Sequence, residues 1–294
     1  MTTPFTPGAE GVFRDVPAET YHKAPGASNS MLKHLNPPAR LPVYLGEKRE
    51  PSVAFVLGTM THTLVLEPDA PLPLVALRGD PDKDDRFNFR KTAGKAWRDQ
   101  QEAAGLVILK EDEYESVKRM CAGIAAHPLC QAIFANGESE LSCFARHKDT
   151  DILRKFRLDW LPSAGDALVD VKTCQDEGAS EENFSKTLYD LRYFVQAAYY
   201  LDGWNALNPD NPRKHFVFVA VEKAPPFLVN VFHVEPYTLD LGREQYERDL
   251  WNYRKCSRLN VWPGYGEGST ELAIPVWGKK KLVELRAKEE TRYQ

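Results

Sequence analysis

Long apolar runs and paired cysteines are both scarce in this chain. No run in its 294 residues approaches the roughly 18–20 apolar residues of a membrane-spanning helix. The start Met1-Thr2-Thr3-Pro4 has neither the basic nor the apolar part of a secretory signal. The five cysteines are odd in number and form no C-x-x-C pair, so we expect reduced, mostly buried thiols. These absences predict a cytoplasmic protein without membrane association.

An excess of positive charge is also lacking, because 38 Lys and Arg stand against 42 Asp and Glu, for a net charge of −4. Phosphate contacts dominate nucleic-acid affinity and require Lys and Arg. Either the chain binds no nucleic acid, or its basic residues are gathered on one surface. The segment 86–98 favours the second interpretation, since its interleaved basic and aromatic residues suit a loop that follows a phosphate backbone and stacks on bases. A solvated loop with its rings tucked inward is the alternative.

The remaining composition, 43% hydrophobic and 27% charged, is ordinary for a soluble globular protein, and the length allows one large domain. An irregular arm is expected over 1–26 and a polar, Pro-containing excursion over 70–97. Acidic residues at 111–113 suit a helix N-terminus. The predicted helices span 28–35, 55–66, 111–126, 184–207 and 238–258, and the predicted strands span 140–147, 152–161, 166–173, 214–222 and 227–235.

The segment Ala167–Lys172 is the main candidate for chemistry. It is short, rich in valine and preceded by a turn, so it reads as a strand. Side chains alternate along a strand, which places Asp170 and Lys172 on one face and the valines in a core. The preceding strand of the predicted hairpin carries Asp159 alongside. Two carboxylates and a lysine suit a divalent-metal site for phosphodiester hydrolysis, although a same-face Asp/Lys pair is more often a solvated surface.

Two helices carry further candidates. Gln196 and Tyr200 are four residues apart and share a helix face, so both side chains can face the strand that carries Asp170. An ordinary amphipathic helix with Tyr200 in the core is the alternative. His62 is a single histidine in an apolar helix that ends at Glu67-Pro68. Such a histidine is more often a packing residue than a ligand, but Gly58, four residues earlier, would allow close approach on the same face.

The combined set resembles the PD-(D/E)xK nuclease superfamily and, within it, the RecE-type phage exonucleases (exonuclease VIII), relatives of lambda exonuclease. The resemblance covers roughly residues 20–260. This chain has Arg157-Leu158-Asp159 where the family commonly has Arg-Pro-Asp, and Asp170-Val171-Lys172 is a mild variant of Asp-Leu-Lys; neither change removes a catalytic group. The matching segments are 27–33 with Pro37-Pro38-Ala39, 58–68, 94–98, 138–142, 157–160 and 169–173.

The resemblance implies an α/β (α+β) fold with a restriction-endonuclease-like core, in which a mixed central β-sheet is flanked by helices. A single exonuclease domain is expected over 1–260, with a helical elaboration at 27–135 and the catalytic core at 136–260. The segment 261–294, which includes Lys279-Lys280-Lys281, is expected to be a peripheral tail. A tail of this kind is an oligomer contact or, more often, a solvated helix.

The resemblance also implies roles for individual residues, with Mg²⁺ or Mn²⁺ bound as cofactor, two metals being expected. Lys172 is placed beside the attacking water and the scissile phosphate, while Gln196 and Tyr200 orient the reacting groups. Glu140 is either an outer carboxylate of the site or a plain strand residue. The predicted metal ligands are His62, Asp159, Asp170 and the backbone carbonyl of Val171. The predicted DNA or 5′-phosphate contacts are Ser28, Ser30, Arg86, Arg90, Lys91, Lys95 and Arg157.

The implied activity is 5′→3′ exonucleolytic degradation of linear double-stranded DNA, which leaves 3′ single strands for phage-type recombination. The implied partners are DNA ends, further copies of the chain in a trimeric or tetrameric ring, and a single-strand annealing protein in the cytoplasm of a bacterial host. No iron–sulfur cluster is expected, because it needs four cysteine ligands and only Cys256 follows the core. A Cas4-like single-strand or structure-specific nuclease and a catalytically silent DNA-binding protein are the alternatives.

Overall fold

The computed structural model describes residues 5–47, 52–69, 72 and 75–292. The chain divides into a large unit, Met1–Trp262, and a small one, Pro263–Gln294. The strands are β1 Gly11–Phe13, β2 Val75–Arg78, β3 Val107–Lys110, β4 Gly137–Arg146, β5 Leu153–Pro162, β6 Ala167–Cys174, β7 His215–Glu222 and β8 Val229–His233. The helices are α1 Ala18–Lys23, α2 Asn29–Leu32, α3 Arg40–Gly46, α4 Val53–Leu66, α5 Thr92–Ala103, α6 Glu111–Ala126, α7 Pro128–Ile133, α8 Glu181–Asp190, α9 Tyr193–Leu207, α10 Pro236–Leu259 and α11 Val276–Arg292.

In the described residues, the central sheet has six strands in the order β1-β4-β5-β6-β7-β8. Its pairs are antiparallel except for β6 and β7, which are parallel. A parallel pair requires a crossover connection, and α8 and α9 provide it. The predicted fold class, a mixed sheet flanked by helices, is confirmed.

The sheet separates two apolar cores, because alternate residues of each buried strand point to opposite faces. Leu168 of β6 packs with residues of α9 and α10 on one face. Val169 and Val171 pack with residues of α4 and α6 on the other, as the strand periodicity predicts. No helix in the described part of the chain is both long enough and apolar enough to span a bilayer.

The prediction of an irregular arm over 1–26 is wrong for the described residues. Strand β1 pairs with β4, and Phe13 packs edge-on against Phe144 at a ring-centroid distance of 6.0 Å. The Lys155 ammonium donates hydrogen bonds to carbonyls at the end of α1, at 2.9 Å to His22 and 2.7 Å to Ala24. Such contacts with residues more than a hundred positions away are invisible to local propensity.

The segment predicted as a polar excursion over 70–97 also carries regular structure. Strand β2 pairs in parallel with β3, and α5 begins at Thr92. At Gly94, a Cβ would lie 1.9 Å from the Asn88 carbonyl oxygen, so the turn before α5 tolerates only glycine. Residues 70, 71, 73 and 74 of the predicted excursion lie outside the described residues.

The helix predicted over 184–207 is divided into α8 and α9. Arg192 adopts the left-handed conformation with φ 59°, which ends one helix and redirects the next. Its guanidinium forms an ion pair with Asp249 of α10, a residue 57 positions away. The tertiary ion pair therefore holds a backbone conformation that the sequence pattern does not predict.

Candidate functional site

Helices α1 and α4 and the strands β4 and β5 border an open cleft of about 1180 Å³. Carboxylate, imidazole and guanidinium groups line it together, so its charge is mixed rather than uniformly basic. The charged and titratable lining residues are Arg14, Asp15, Tyr21, His22, His62, Glu67, Glu138, Glu140, Arg157, Asp159 and Tyr200.

Helix α4 brings His62 to this cleft. The Ser52 hydroxyl caps the helix by accepting a hydrogen bond from the Phe55 backbone amide at 3.2 Å. A Cβ at Gly58 would lie 3.6 Å from the Thr173 hydroxyl oxygen, so α4 packs closely against the end of β6, on the face that carries the histidine. The His62 Nδ1 atom lies 3.5 Å from Asp159 Oδ2. The predicted His62 and Asp159 are thus neighbours.

Asp159 occupies a point where β5 and β6 stop pairing through their backbones. The ladder between these strands contains the pair Trp160–Val169. Two residues further along β6, the backbone amide of Val171 donates instead to the Asp159 carboxylate at 2.9 Å. The carboxylate replaces a ladder hydrogen bond, which fixes its orientation and places the Val171 peptide unit beside it.

Glu140 completes a group of potential metal ligands. Its neighbours Ser139 and Leu141 pair with Trp160 and Leu158, so Glu140 faces Asp159 across β4 and β5. Glu140 has φ 50°, a conformation that non-glycine residues rarely adopt and that often marks a functional site. One ligand atom each from His62, Glu140 and Asp159 lies within 4.8 Å of the others.

This donor set fits a divalent cation. Two carboxylates and an imidazole are suitable ligands for Mn²⁺ and, through the oxygens, for Mg²⁺. Burial, and next the Asp159 carboxylate, raise the pKa of Glu140 to about 8. Without a cation, the partly buried carboxylates of Glu140 and Asp159 therefore repel each other when both are ionised.

Asp170, Lys172 and Gln196 form a second group of polar contacts. Asp170 is only 2% exposed, and its carboxylate accepts a hydrogen bond from the Gln196 amide and pairs with the Lys172 ammonium. Burial, and next Asp159, raise the pKa of Asp170 to about 6, while Lys172 opposes the shift. Asp170 lies outside the group of three ligands described above, but the hydrogen bond from the Val171 amide to Asp159 joins that group to the residue next to Asp170.

Lys172 is a charged ammonium in an almost closed environment. Burial alone would lower its pKa, but the Asp170 and Asp159 carboxylates outweigh burial and the pKa is raised. The ammonium also lies 4.7 Å from the ring centroid of Tyr193, a cation–π contact. Sequence reasoning missed Tyr193, because its position at the start of α9 depends on the unpredicted break at Arg192. The only available signal is that Tyr193 precedes Gln196 by three residues, on the same helix face.

Tyr200 borders the cleft, with its ring 5.3 Å from that of Phe156. Burial raises the pKa of Tyr200 well above its usual value, so its hydroxyl stays protonated and available as a donor. Tyr200 thus packs against the core and also borders the cleft, and its role in orienting the reacting groups stays a prediction.

The predicted phosphate contacts are divided between the cleft and other surroundings. Ser30 and Arg157 line the cleft. Ser28 caps α2 by accepting from the Met31 amide at 3.2 Å, and its hydroxyl lies 3.1 Å from that of Ser30. The Arg157 guanidinium is held by Ser142 Oγ at 3.0 Å and lies 3.7 Å from Glu140. Arg157 is thus fixed next to the acidic group.

The basic and aromatic segment 86–98 has its rings packed on one another. The ring of Phe87 meets Trp97 at 5.4 Å and that of Phe89 meets Trp97 at 6.2 Å. Arg86 pairs with Asp84 at 2.7 Å, and Lys91 pairs with Asp85 at 2.5 Å. Arg90 and Lys95 are exposed, and none of the four predicted basic contacts in this segment borders the cleft. The three rings are half-buried and pack on one another, as the alternative describes, while DNA contact by the four basic residues stays a prediction.

A further group of potential ligands, His147, Asp149 and Glu247, lies elsewhere in the described residues. Both ring nitrogens of His147 already have partners, at 2.9 Å to Thr150 and 2.9 Å to Glu247. These contacts tie the turn between β4 and β5 to α10. Among the described residues, neither group of potential metal ligands includes a cysteine.

The sequence model of a protein family, "PDDEXK-like domain of unknown function (DUF3799)", matches residues 28–272. The chain belongs to this PDDEXK-like family. The crystal structure of a "Putative exonuclease" from Eubacterium rectale is similar, with a TM-score of 0.56 and 11% sequence identity over 89% of this chain and 97% of that chain. At this identity the similarity shows the fold alone. No curated protein matches the chain.

Membership of the PDDEXK-like family agrees with the superfamily resemblance read from the sequence. Proteins of this nuclease fold use divalent metals, and the chain supplies acidic and imidazole ligands in one cleft. Glu140, which the sequence left undecided between an outer carboxylate and a plain strand residue, lies next to Asp159 and His62.

Proposed function

We propose that this protein is a divalent-metal-dependent exodeoxyribonuclease that degrades linear double-stranded DNA from its 5′ ends and leaves 3′ single strands. The observation that carries the proposal is the convergence of His62, Glu140 and Asp159 within 4.8 Å, beside the ion pair of Asp170 and Lys172. The family membership and the RecE-type motifs of the sequence support it further.

His62, Glu140 and Asp159 would hold the metal, with Asp170 and the Val171 carbonyl beside them for a second ion. A bound Mg²⁺ or Mn²⁺ would polarise the phosphate and activate a water molecule. The residues need no large rearrangement to serve as ligands, because Asp159 is already oriented by the Val171 amide. This preorganisation favours binding of the cation.

Lys172 would neutralise negative charge that develops on the phosphate in the transition state, since its ammonium is fixed by Asp170 and Tyr193. Gln196 holds the Asp170 carboxylate by a hydrogen bond and thereby fixes the ion pair. Tyr200 would donate a hydrogen bond from the cleft wall to water or phosphate. Arg157 and Ser30, which also line the cleft, would contact a neighbouring phosphate.

The decisive experiment is digestion of linear 5′-phosphorylated duplex DNA, labelled at either end, with Mg²⁺, with Mn²⁺ and with EDTA. Metal-dependent release of 5′-terminal nucleotides, with closed circles left intact, is the expected result. Cleavage of single strands or flaps while duplex DNA remains intact would contradict the duplex specificity and favour a single-strand or structure-specific nuclease. Absence of cleavage with either metal would contradict nuclease activity.

The ring and the recombination role are part of the same proposal. A ring of three or four copies would let DNA thread a central channel, with a strand-annealing protein taking over the 3′ strand. Light scattering should give a mass of three or four times 33.3 kDa. A monomer at micromolar concentration would contradict threading without affecting the assignment of the catalytic residues.

A further inference from the structure

Phe55 is an exposed aromatic residue in the wall of the catalytic cleft. It is 63% exposed, although phenylalanine is among the residues most often buried. It lies on α4 seven residues before His62, and both residues border the cleft. Residues at this spacing share a helix face, two turns or about 10 Å apart along the axis.

The surroundings of Phe55 suit a nucleotide. Among the described residues, its ring stacks on no other aromatic ring, in contrast to Phe87, Phe89 and Trp97, which pack on one another. Arg14 and Arg157 line the same cleft, and their guanidinium groups are suited to phosphate oxygens; Arg14 pairs with Glu138, and Arg157 lies 3.7 Å from Glu140. An aromatic face beside cationic groups is the combination by which proteins hold single-stranded nucleic acid.

We propose that Phe55 is the platform on which one base of the cleaved strand stacks. The inference rests on the proposed nuclease function and specifies how its substrate is held. Because Phe55 and His62 are about 10 Å apart along the helix axis, the base belongs to one of the first few nucleotides beside the scissile phosphate. A base on Phe55 has left the stack of its own duplex, so the cleft holds a locally unpaired strand end.

Two properties follow from the chemistry of stacking. Recognition is tolerant of sequence, because every base has a π-face. Duplexes whose first nucleotides at the 5′ end are unpaired bind more tightly than blunt ones, because the cost of unpairing is removed.

The test is a double-substitution cycle on DNA binding, with Ca²⁺ in place of Mg²⁺ and gels to verify that the probe stays intact. The probes are duplexes whose first four nucleotides at the 5′ end are unpaired, either intact or with one abasic site at position 1, 2, 3 or 4, so that the abasic site removes a stacking base without changing the cost of unpairing. The proteins are the wild type, Phe55→Ala, Phe55→Trp and the control Tyr237→Ala, which removes an aromatic residue that is 65% exposed outside the cleft.

An abasic site at one position should weaken wild-type binding about tenfold. Phe55→Ala should weaken binding of intact DNA by a similar factor and should be insensitive to that same abasic site, because the two changes remove one contact. Phe55→Trp should bind at least as well as the wild type. Tyr237→Ala should bind every probe as the wild type does. Equal thermal stability of all four proteins would show that folding is unaffected.

Independent, multiplicative effects of Phe55→Ala and the abasic sites would overturn the stacking role, as would unchanged affinity of Phe55→Ala. A wild type that binds DNA with this coupling but does not cleave it would contradict the nuclease function alone. A wild type that cleaves without the coupling would contradict the stacking role alone. A wild type that binds none of the probes would contradict both.

Discussion

Glu140 and Asp159 face each other across β4 and β5, and both border the same cleft. Asp159 is fixed by the Val171 amide at 2.9 Å, while Glu140 has a left-handed backbone conformation with φ 50°. Two carboxylates held this close repel each other unless a proton or a cation lies between them. The pair therefore links the stability of the protein to pH and to metal.

Replacing Glu140 by Gln should stabilise the metal-free protein at alkaline pH. Burial and Asp159 raise the pKa of Glu140 from 4.5 to about 8, so the folded state prefers the protonated carboxyl. As the pH rises from 4.5 to about 8, ionisation of Glu140 should lower the stability of the folded wild type. Glu140→Gln removes that loss and should raise the melting temperature at pH 8.5 by about 2–4 °C per kcal/mol of repulsion relieved.

Thermal melts with EDTA at pH 5 and pH 8.5 provide the measurement, with Glu138→Gln as the matched control on the same strand. Glu138 pairs with Arg14, and both side chains are about two-fifths exposed, so its replacement should change stability little. Adding Mn²⁺ should stabilise the wild type more than Glu140→Gln. Equal stabilisation of both by Mn²⁺ would show that Glu140 is not a ligand.

Replacing Lys172 by Ala should lower the turnover number by about 100- to 1000-fold and leave DNA affinity nearly unchanged. The reason is that a fixed charge near the phosphate acts mainly on the transition state. Single-turnover digestion and a binding titration separate the two effects. Lys186→Ala is the control, because this lysine is exposed on α8 and pairs with Glu182 on the same helix. Undiminished digestion by Lys172→Ala would exclude the lysine from catalysis.

Replacing Asp170 by Asn preserves the shape of the side chain but removes its charge. The ammonium of Lys172 loses its ion pair, so we expect activity to fall by at least about 100-fold. A calorimetric Mn²⁺ titration then distinguishes two roles. Weaker Mn²⁺ binding would identify Asp170 as a ligand, as the sequence predicts. An unchanged isotherm with lost activity would restrict Asp170 to the positioning of Lys172.

Replacing His62 by Ala tests whether this histidine is a ligand or a packing residue. Its side chain is 27% exposed and lies 3.5 Å from Asp159. As a ligand, it should contribute about tenfold or more to Mn²⁺ affinity, with a smaller effect on Mg²⁺, which prefers oxygen. A lower melting temperature combined with unchanged affinity for both metals would identify a packing role.

The sequence predicts those parts of the site that depend on local periodicity. The alternation along β6 correctly separates Asp170 and Lys172 from Val169 and Val171. Gln196 and Tyr200 share a helix face, as their spacing predicts. Gln196 donates a hydrogen bond to Asp170, and Tyr200 borders the cleft. The proline at 68 correctly predicts that α4 ends just before Glu67.

Other parts of the site depend on contacts between distant segments. Glu140 lies next to Asp159 of another strand. An ion pair with α10 stabilises Arg192 in its left-handed turn, and Tyr193 of α9 forms a cation–π contact with Lys172 of β6. The rings of the segment 86–98 follow the same rule. Composition alone does not reveal how these rings pack, and only the structure brings Phe87 and Phe89 against Trp97.

The sequence by itself determined the PDDEXK-like family, the central strands and the identity of most chemical groups, because periodicity and motif spacing are local properties of the chain. Only the tertiary structure decided that Glu140 joins His62 and Asp159, that Asp170 is paired with Lys172 and Gln196, and that Phe55 is left exposed at the cleft. Burial and proximity arise when distant segments pack, and they set the charge and the accessibility of each group.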